Sequence, residues 1–161
     1  LLGPLTNPAS APNQVLGVFG AEWLESLAQV LGRLGSRHVL VVNADDGLDE
    51  ISIGSPTEVA ELRGGQLSRY RVSPDQFGMQ NGNVEELVVK DAGESLNVIE
   101  QVLDDKPGPA RDIVALNAGA AIYVSGIADS LAAGVDAAKQ AIASGAAKQK
   151  LKDLIEVTNS F

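Results

Sequence analysis

The chain of 161 residues contains no cysteine. That excludes a disulfide framework, a thiolate metal site and a cysteine nucleophile, and it fits a reducing compartment such as the cytoplasm. Basic residues are scarce: 12 Lys and Arg face 21 Asp and Glu, a net charge of −9. An acidic chain has no general attraction for nucleic acid or anionic lipid, so a broad basic binding face is disfavoured. No apolar run approaches the roughly 20 residues that span a bilayer, and no stretch reads as a secretory signal. A Gly-rich phosphate loop is missing too, since Gly17-Val18-Phe19-Gly20 lacks the spacing of a dinucleotide fingerprint. The one histidine, His38, opens an apolar run far from any nucleophile, so its expected role is structural and no Ser-His-Asp arrangement is available.

What is present is a globular composition, 45% hydrophobic and 20% charged. The length suits about one domain, burying roughly 70% of the surface its unfolded chain exposes. The chain opens Leu1-Leu2-Gly3-Pro4, and two leucines at a free end would be exposed apolar surface. The expectation is therefore a fragment of a protein of roughly twice this length.

Residues 14–19 form a short apolar run of buried-strand type. Leu24, Leu27, Ala28, Leu31 and Leu34 then fall on one helical stripe, with Trp23 packing in its first turn and Gly35 as the stop. His38-Val39-Leu40-Val41-Val42 is a second strand, and strand–helix–strand with short links predicts a parallel βαβ unit. Residues 57–62 and 67–72 flank Arg63-Gly64-Gly65-Gln66, a hairpin turn, and Ser73-Pro74 opens a short helix. The remainder is helix-rich. Leu96, Ile99 and Leu103 share a face before the break at residues 106–109; Ile113, Leu116, Ala120, Tyr123 and Val124 share the next. Asn117-Ala118-Gly119-Ala120-Ala121 has so little bulk that another element can approach its backbone closely. Leu131, Val135, Ala138 and Ile142 mark a further helix, and Leu151, Leu154 and Ile155 a last one.

Two loops could carry chemistry. Asp45-Asp46-Gly47-Leu48-Asp49-Glu50 places four carboxylates in six residues after the second strand, where open α/β sheets bind ligands. Such crowding is unfavourable unless solvent or a cation relieves it. The spacing is wrong for an EF-hand, whereas adjacent Asp49 and Glu50 suit magnesium, which takes one or two carboxylates and completes its shell with water and phosphate oxygens. The alternative is a solvated acidic turn about Gly47. The other loop, Gly3-Pro4-Leu5-Thr6-Asn7-Pro8-Ala9, is stiffened by two prolines and could present backbone groups to a ligand at low entropic cost, or could simply be a well-made turn. Arg63, Arg69 and Arg71 on the hairpin, and Lys148, Lys150 and Lys152, read as solvated surface.

In order along the chain, Leu2-Gly3-Pro4-Leu5-Thr6-Asn7-Pro8-Ala9, Gln14-Val15-Leu16-Gly17-Val18-Phe19, His38-Val39-Leu40-Val41-Val42, Asp46-Gly47-Leu48-Asp49-Glu50, Phe77-Gly78 and Arg111-Asp112-Ile113-Val114-Ala115-Leu116-Asn117-Ala118 resemble the anthranilate phosphoribosyltransferases of tryptophan biosynthesis. The resemblance implies an α/β fold of the nucleoside phosphorylase and phosphoribosyltransferase type, with residues 1–161 as the carboxyl-terminal part of the α/β domain. A helical amino-terminal domain, the phosphate loop, a Lys-His-Gly-Asn segment and the anthranilate-binding arginine would lie upstream of Leu1, and a homodimer would form through the missing helical domain. By the same resemblance Asp49 and Glu50 match the magnesium pair, Gly3 and Pro4 line the anthranilate site, and Thr6 and Asn7 support that loop. Asn43-Ala44 departs from the His-Gly that many members carry. The implied reaction transfers phosphoribosyl from phosphoribosyl pyrophosphate to the amine of anthranilate, releasing pyrophosphate, with no side-chain base assigned within this segment. Competing expectations are a pyrimidine nucleoside phosphorylase-like enzyme and a non-catalytic relative that binds nucleic acid.

Overall fold

An apolar β-branched run without alternation must be covered on both faces, and the strand His38–Ala44 (β2) is buried along nearly its whole length. The computed structural model describes residues 3–161, so Leu1 and Leu2 lie outside the described residues. β2 pairs in parallel with Asn13–Gly17 (β1) and antiparallel with Thr57–Arg63 (β3), which in turn pairs antiparallel with Gln66–Val72 (β4). The sheet order is β1-β2-β3-β4. Leu40 and Val42 point to one face and Val39 and Val41 to the other, each into a separate core.

The helix Leu24–Arg33 (α1) covers the second face, burying Leu24, Leu27, Ala28 and Leu31. Gly35 ends it with a φ of +100°, and the Ser36 amide donates back to the Leu31 carbonyl at 3.0 Å, a left-handed cap in which glycine avoids a Cβ penalty. β1, α1 and β2 are thus the expected βαβ unit. The β3–β4 turn falls on Gly64 and Gly65, with φ of +57° and +82°, the paired left-handed conformation that matches hairpin twist.

The first face is covered by helices of the second half, Ala92–Leu103 (α2), Pro109–Val124 (α3) and Leu131–Ala143 (α4), while Ala146–Thr158 (α5) packs outside them against α4 and buries no residue. α3 and α4 meet backbone to backbone. A Cβ on Gly119 would lie 2.6 Å from the Val135 backbone, and one on Gly134 would strike the Gly119 carbonyl. The small-residue stretch is therefore the close-approach surface that its composition predicts.

Two apolar positions depart from expectation, Leu34 and Trp23. Leu34 sits past the last helical turn and is 62% exposed. Trp23 belongs to a short 3₁₀ turn ahead of α1 and tilts against exposed Phe19, outside the core. Leu96 and Ile99 on α2 are about half exposed, and α2 buries only Val102. Among the described residues no helix is long and apolar enough to cross a membrane.

At the end of the sheet where β2 begins, a buried carboxylate gathers donors. Glu61 Oε1 lies 2.8 Å from His38 Nε2 and accepts from the Tyr123 hydroxyl at 2.7 Å, while Oε2 accepts from the Tyr70 hydroxyl at 2.9 Å. His38 thus has the structural role expected of it. Both tyrosines of the chain belong to this network. Burial, reinforced by the charge of Glu61, pushes the Tyr70 hydroxyl far above its ordinary value, and burial followed by the Glu61 hydrogen bond raises Tyr123. A pKa raised on folding favours the protonated form, so this contribution to stability is intact below pH of about 10 and is lost as pH climbs above it. Absorbance of phenolate near pH 10 should be lower in the folded chain than in urea, where it is half-developed; equal titration in both states would show the network open to solvent.

Candidate metal and substrate site

The acidic loop forms because the chain must leave the core after Ala44 and return to it at Ile51 and Ile53, which are 2% and 1% exposed. The excursion is tight. The Leu48 carbonyl accepts from the Ala44 amide at 3.0 Å, and Gly47 adopts a φ of +90° at the tip. It carries residues 45–50 beside the carboxyl end of β1. There the Asp49 carbonyl lies against Gly17 so closely that any Cβ would collide with it. Asn43 strengthens the same corner by donating its side-chain amide to the Val18 carbonyl at 2.7 Å.

The four carboxylates of the loop do not share one environment. Asp45 is ion-paired with Arg71, which also reaches Glu58. Asp46 accepts the Ser52 hydroxyl at 2.6 Å and the Leu48 amide at 3.2 Å, an internal brace for the turn. Asp49 and Glu50 are exposed, and among the described residues neither has an ion-pair partner. Two charges are therefore spent on the architecture, and two adjacent ones are left uncompensated at the surface. Arg69 and Arg71 lie on the solvated side of the hairpin, as expected, but bridge Glu25, Glu58 and Asp45 instead of standing free.

Of the proline-rich loop's predicted site residues, Pro4 alone reaches the cleft beside Asp49. Gly3–Thr6 is one turn of 3₁₀ helix, and the Thr6 hydroxyl donates to the Gly3 carbonyl at 3.1 Å. Asn7 accepts the Ala9 amide on its side chain at 2.9 Å and the Ser10 amide on its carbonyl at 3.1 Å. Gly3, Pro4, Thr6 and Asn7 are all exposed. Pro4 and Asp49 together border a cleft of about 190 Å³ with Leu16, Gly17, Val18, Phe19 and Leu27. Pro4 and Asn7 border another of about 330 Å³. Glu50 faces a larger apolar groove of about 680 Å³ between the loop and α2, where Ile99 finds part of its cover.

Hard carboxylate oxygens, exposed and without basic partners, fit a magnesium ion. Among the described residues no third His, Cys, Asp or Glu joins them, so two carboxylates would leave a shell for water and phosphate oxygens to complete.

Sequence reasoning missed one participant. Asn117 projects from α3 to the residue following Glu50: its Oδ1 accepts the Ile51 amide at 2.9 Å, and its Nδ2 donates to the Ile51 carbonyl at 2.9 Å and to the Ile113 carbonyl at 3.0 Å. The signal was a polar amide in an otherwise apolar and small-residue helix face.

Residues 1–148 match the family described as glycosyl transferase family, a/b domain. The chain belongs to that glycosyl transferase family. Within it, the chain is similar to the anthranilate phosphoribosyltransferase of Thioalkalivibrio sulfidiphilus, 61% identical over 99% of this chain and 47% of that protein. It is 55% identical to that of Methylococcus capsulatus over 100% of this chain and 47% of that protein. The chain thus spans about half the length of the curated relatives it matches. Among solved structures, the Thermus thermophilus anthranilate phosphoribosyltransferase superposes with a TM-score of 0.86 at 38% identity, covering 94% of this chain and 45% of that one. The Saccharomyces cerevisiae enzyme in complex with PRPP and Mg gives 0.88 at 26% identity, covering 99% of this chain and 46% of that one. The glycosyl transferase fold accordingly contains this four-stranded sheet with its helices on both faces.

The partition of the acidic loop has a measurable consequence. Replacing Asp46 with Ala leaves the buried Ser52 hydroxyl and the turn without their acceptor and should cost about 1–3 kcal/mol. The double change Asp49→Asn with Glu50→Gln should stay within about 0.5 kcal/mol or stabilise slightly, since it only relieves repulsion. Urea unfolding of both variants checks this; the reverse order would mean that Asp49 and Glu50 brace the fold.

Proposed function

We propose that this chain is the carboxyl-terminal part of the α/β domain of an anthranilate phosphoribosyltransferase, which transfers phosphoribosyl from phosphoribosyl pyrophosphate to the amine of anthranilate and releases pyrophosphate in tryptophan biosynthesis. The observation that carries this reading is the meeting of the two loops. Pro4 and Asp49 border one cleft at the carboxyl end of β1, and the adjacent carboxylates Asp49 and Glu50 have no basic partner among the described residues. The similarity to anthranilate phosphoribosyltransferases and to the Saccharomyces cerevisiae enzyme in complex with PRPP and Mg supports it.

In this reading Asp49 and Glu50 hold magnesium, which when bound neutralises charge building on the leaving pyrophosphate. Gly17 keeps the Asp49 backbone at the sheet edge, and Asp46 braces the turn so that its neighbours stay outward. Pro4 lines the anthranilate side of the cleft with Gly3 beside it in the chain, while Thr6 and Asn7 fix that loop through their local hydrogen bonds. The amine of anthranilate is itself the nucleophile, and no side chain of this segment is assigned as its base. The phosphate loop, the anthranilate-binding arginine and a homodimer interface belong to the portion of its relatives that this chain does not span, and the location is the cytoplasm.

The test is a chimera in which the Thioalkalivibrio relative supplies the portion this chain lacks. The chimera should form phosphoribosylanthranilate with a magnesium requirement, and the 161-residue chain alone should form none. Because a metal contributes several kcal/mol to charge stabilisation, Asp49→Asn with Glu50→Gln should lower kcat/KM by about a hundredfold or more and alter the magnesium profile. Pro4→Ala should raise the KM for anthranilate more than that for phosphoribosyl pyrophosphate. A double variant with the parent's rate and magnesium profile would reduce the acidic turn to a solvated loop.

A further inference from the structure

The segment Arg111 to Ala118 marks the family resemblance, yet nothing in the proposed chemistry uses it. It lies on α3, on the core side of the sheet, and none of its residues borders the cleft shared by Pro4 and Asp49. The polar side chain that reaches from this segment to the acidic loop is Asn117, and all the hydrogen-bonding capacity that side chain shows is spent on backbone. Two of its three bonds close a ring with a single residue, Ile51, through both the amide and the carbonyl. The third, to the Ile113 carbonyl one turn earlier, fixes the rotamer that makes this possible.

Ile51 directly follows Glu50. Its side chain is 2% exposed, so packing fixes the side chain and Asn117 fixes the peptide groups. A backbone N–H and C=O that re-enter the core from a loop have no ladder partner, and leaving them unpaired is costly. An aliphatic side chain at position 117 could fill the space but could not satisfy them. On the other flank, the Asp49 carbonyl lies on Gly17 and Asp46 grips Ser52. The pair Asp49–Glu50 is therefore suspended between anchors, of which Asn117 is the one that ties it to a helix 66 residues away in sequence.

We propose that Asn117 is a positioning residue for the Asp49–Glu50 pair, clamping the Ile51 peptide groups so that both carboxylates are presented to one ion; the assignment rests on reading that pair as the magnesium ligands. Partners that orient metal ligands typically carry about ten- to a hundredfold in metal affinity or activity. The effect is carried through backbone geometry, since Asn117 touches neither ion nor substrate.

The experiment uses the chimera described above, with calorimetric titration of magnesium chloride in the presence of phosphoribosyl pyrophosphate and hydrogen exchange at the Ile51 amide. Asn117→Ala should raise the magnesium concentration for half-saturation by about tenfold or more, speed exchange at Ile51, and leave the KM for anthranilate unchanged. Val135→Ala, which loosens α4 against α3 at Gly119, is the comparison for a general loss of stability and should leave magnesium binding as in the parent. If Asn117→Ala does not fold, Asn117→Asp keeps an acceptor for the Ile51 amide, gives up both donated bonds, and is held to the same criterion. Faster exchange at Ile51 with unaltered magnesium binding, or an equal shift in Val135→Ala, would overturn the positioning role while the metal reading stands. Parent-like magnesium binding in Asp49→Asn with Glu50→Gln would instead remove the metal reading, and with it anything for Asn117 to position.

Discussion

The return of the chain into the core at Ile51 is the constraint on which the candidate site depends. β2 is covered on both faces, so it cannot end in a polar loop without leaving the protein interior, and Ile51 and Ile53 cannot be buried without coming back. The residues of that excursion, 45–50, must then satisfy their own peptide groups. Ala44, Gly47 and Leu48 do so within the turn, and Asn117 does so for Ile51 from across the core. Everything with a charge in that excursion is forced outward at the edge of the sheet, beside the end of β1.

Electrostatics then sorts what sterics has assembled. Four carboxylates in six residues repel one another, and the fold relieves half of that by giving Asp45 an arginine and Asp46 a serine hydroxyl. The remainder is left at Asp49 and Glu50. A site that binds a doubly charged, strongly hydrated cation only when phosphate oxygens accompany it needs such a residue of uncompensated charge, held still but not neutralised. At the opposite end of β2 the logic is inverted: Glu61 is buried and surrounded by donors, which stiffens the sheet without offering anything to a ligand.

Much of this was legible in the sequence where local physics decides the outcome. The alternation-free run of β2, the stop at Gly35, the double glycine of the hairpin and the thin backbone stretch around Gly119 each require their observed structure regardless of distant context. The approach of Pro4 to Asp49 was not legible from spacing, because 45 residues separate them and only the parallel pairing of β1 with β2 brings their ends together. Nor was the division of labour among the four carboxylates, which depends on Arg71 arriving from β4 and Ser52 folding back. Leu96 and Ile99 share a face of α2 as their spacing requires, but that they stay about half exposed was not legible, because periodicity reports an apolar face without saying what covers it. Asn117 stands out in the sequence only as one amide on an apolar, small-residue helix face, and nothing local says that its partner is Ile51.

The most direct measurement is a crystal structure of the chimera grown with magnesium and phosphoribosyl pyrophosphate. An ion at about 2.0–2.1 Å from carboxylate oxygen of Asp49 or Glu50, with pyrophosphate oxygens in its shell, is the predicted result. Magnesium and pyrophosphate bound elsewhere, with both carboxylates facing solvent, would contradict the account.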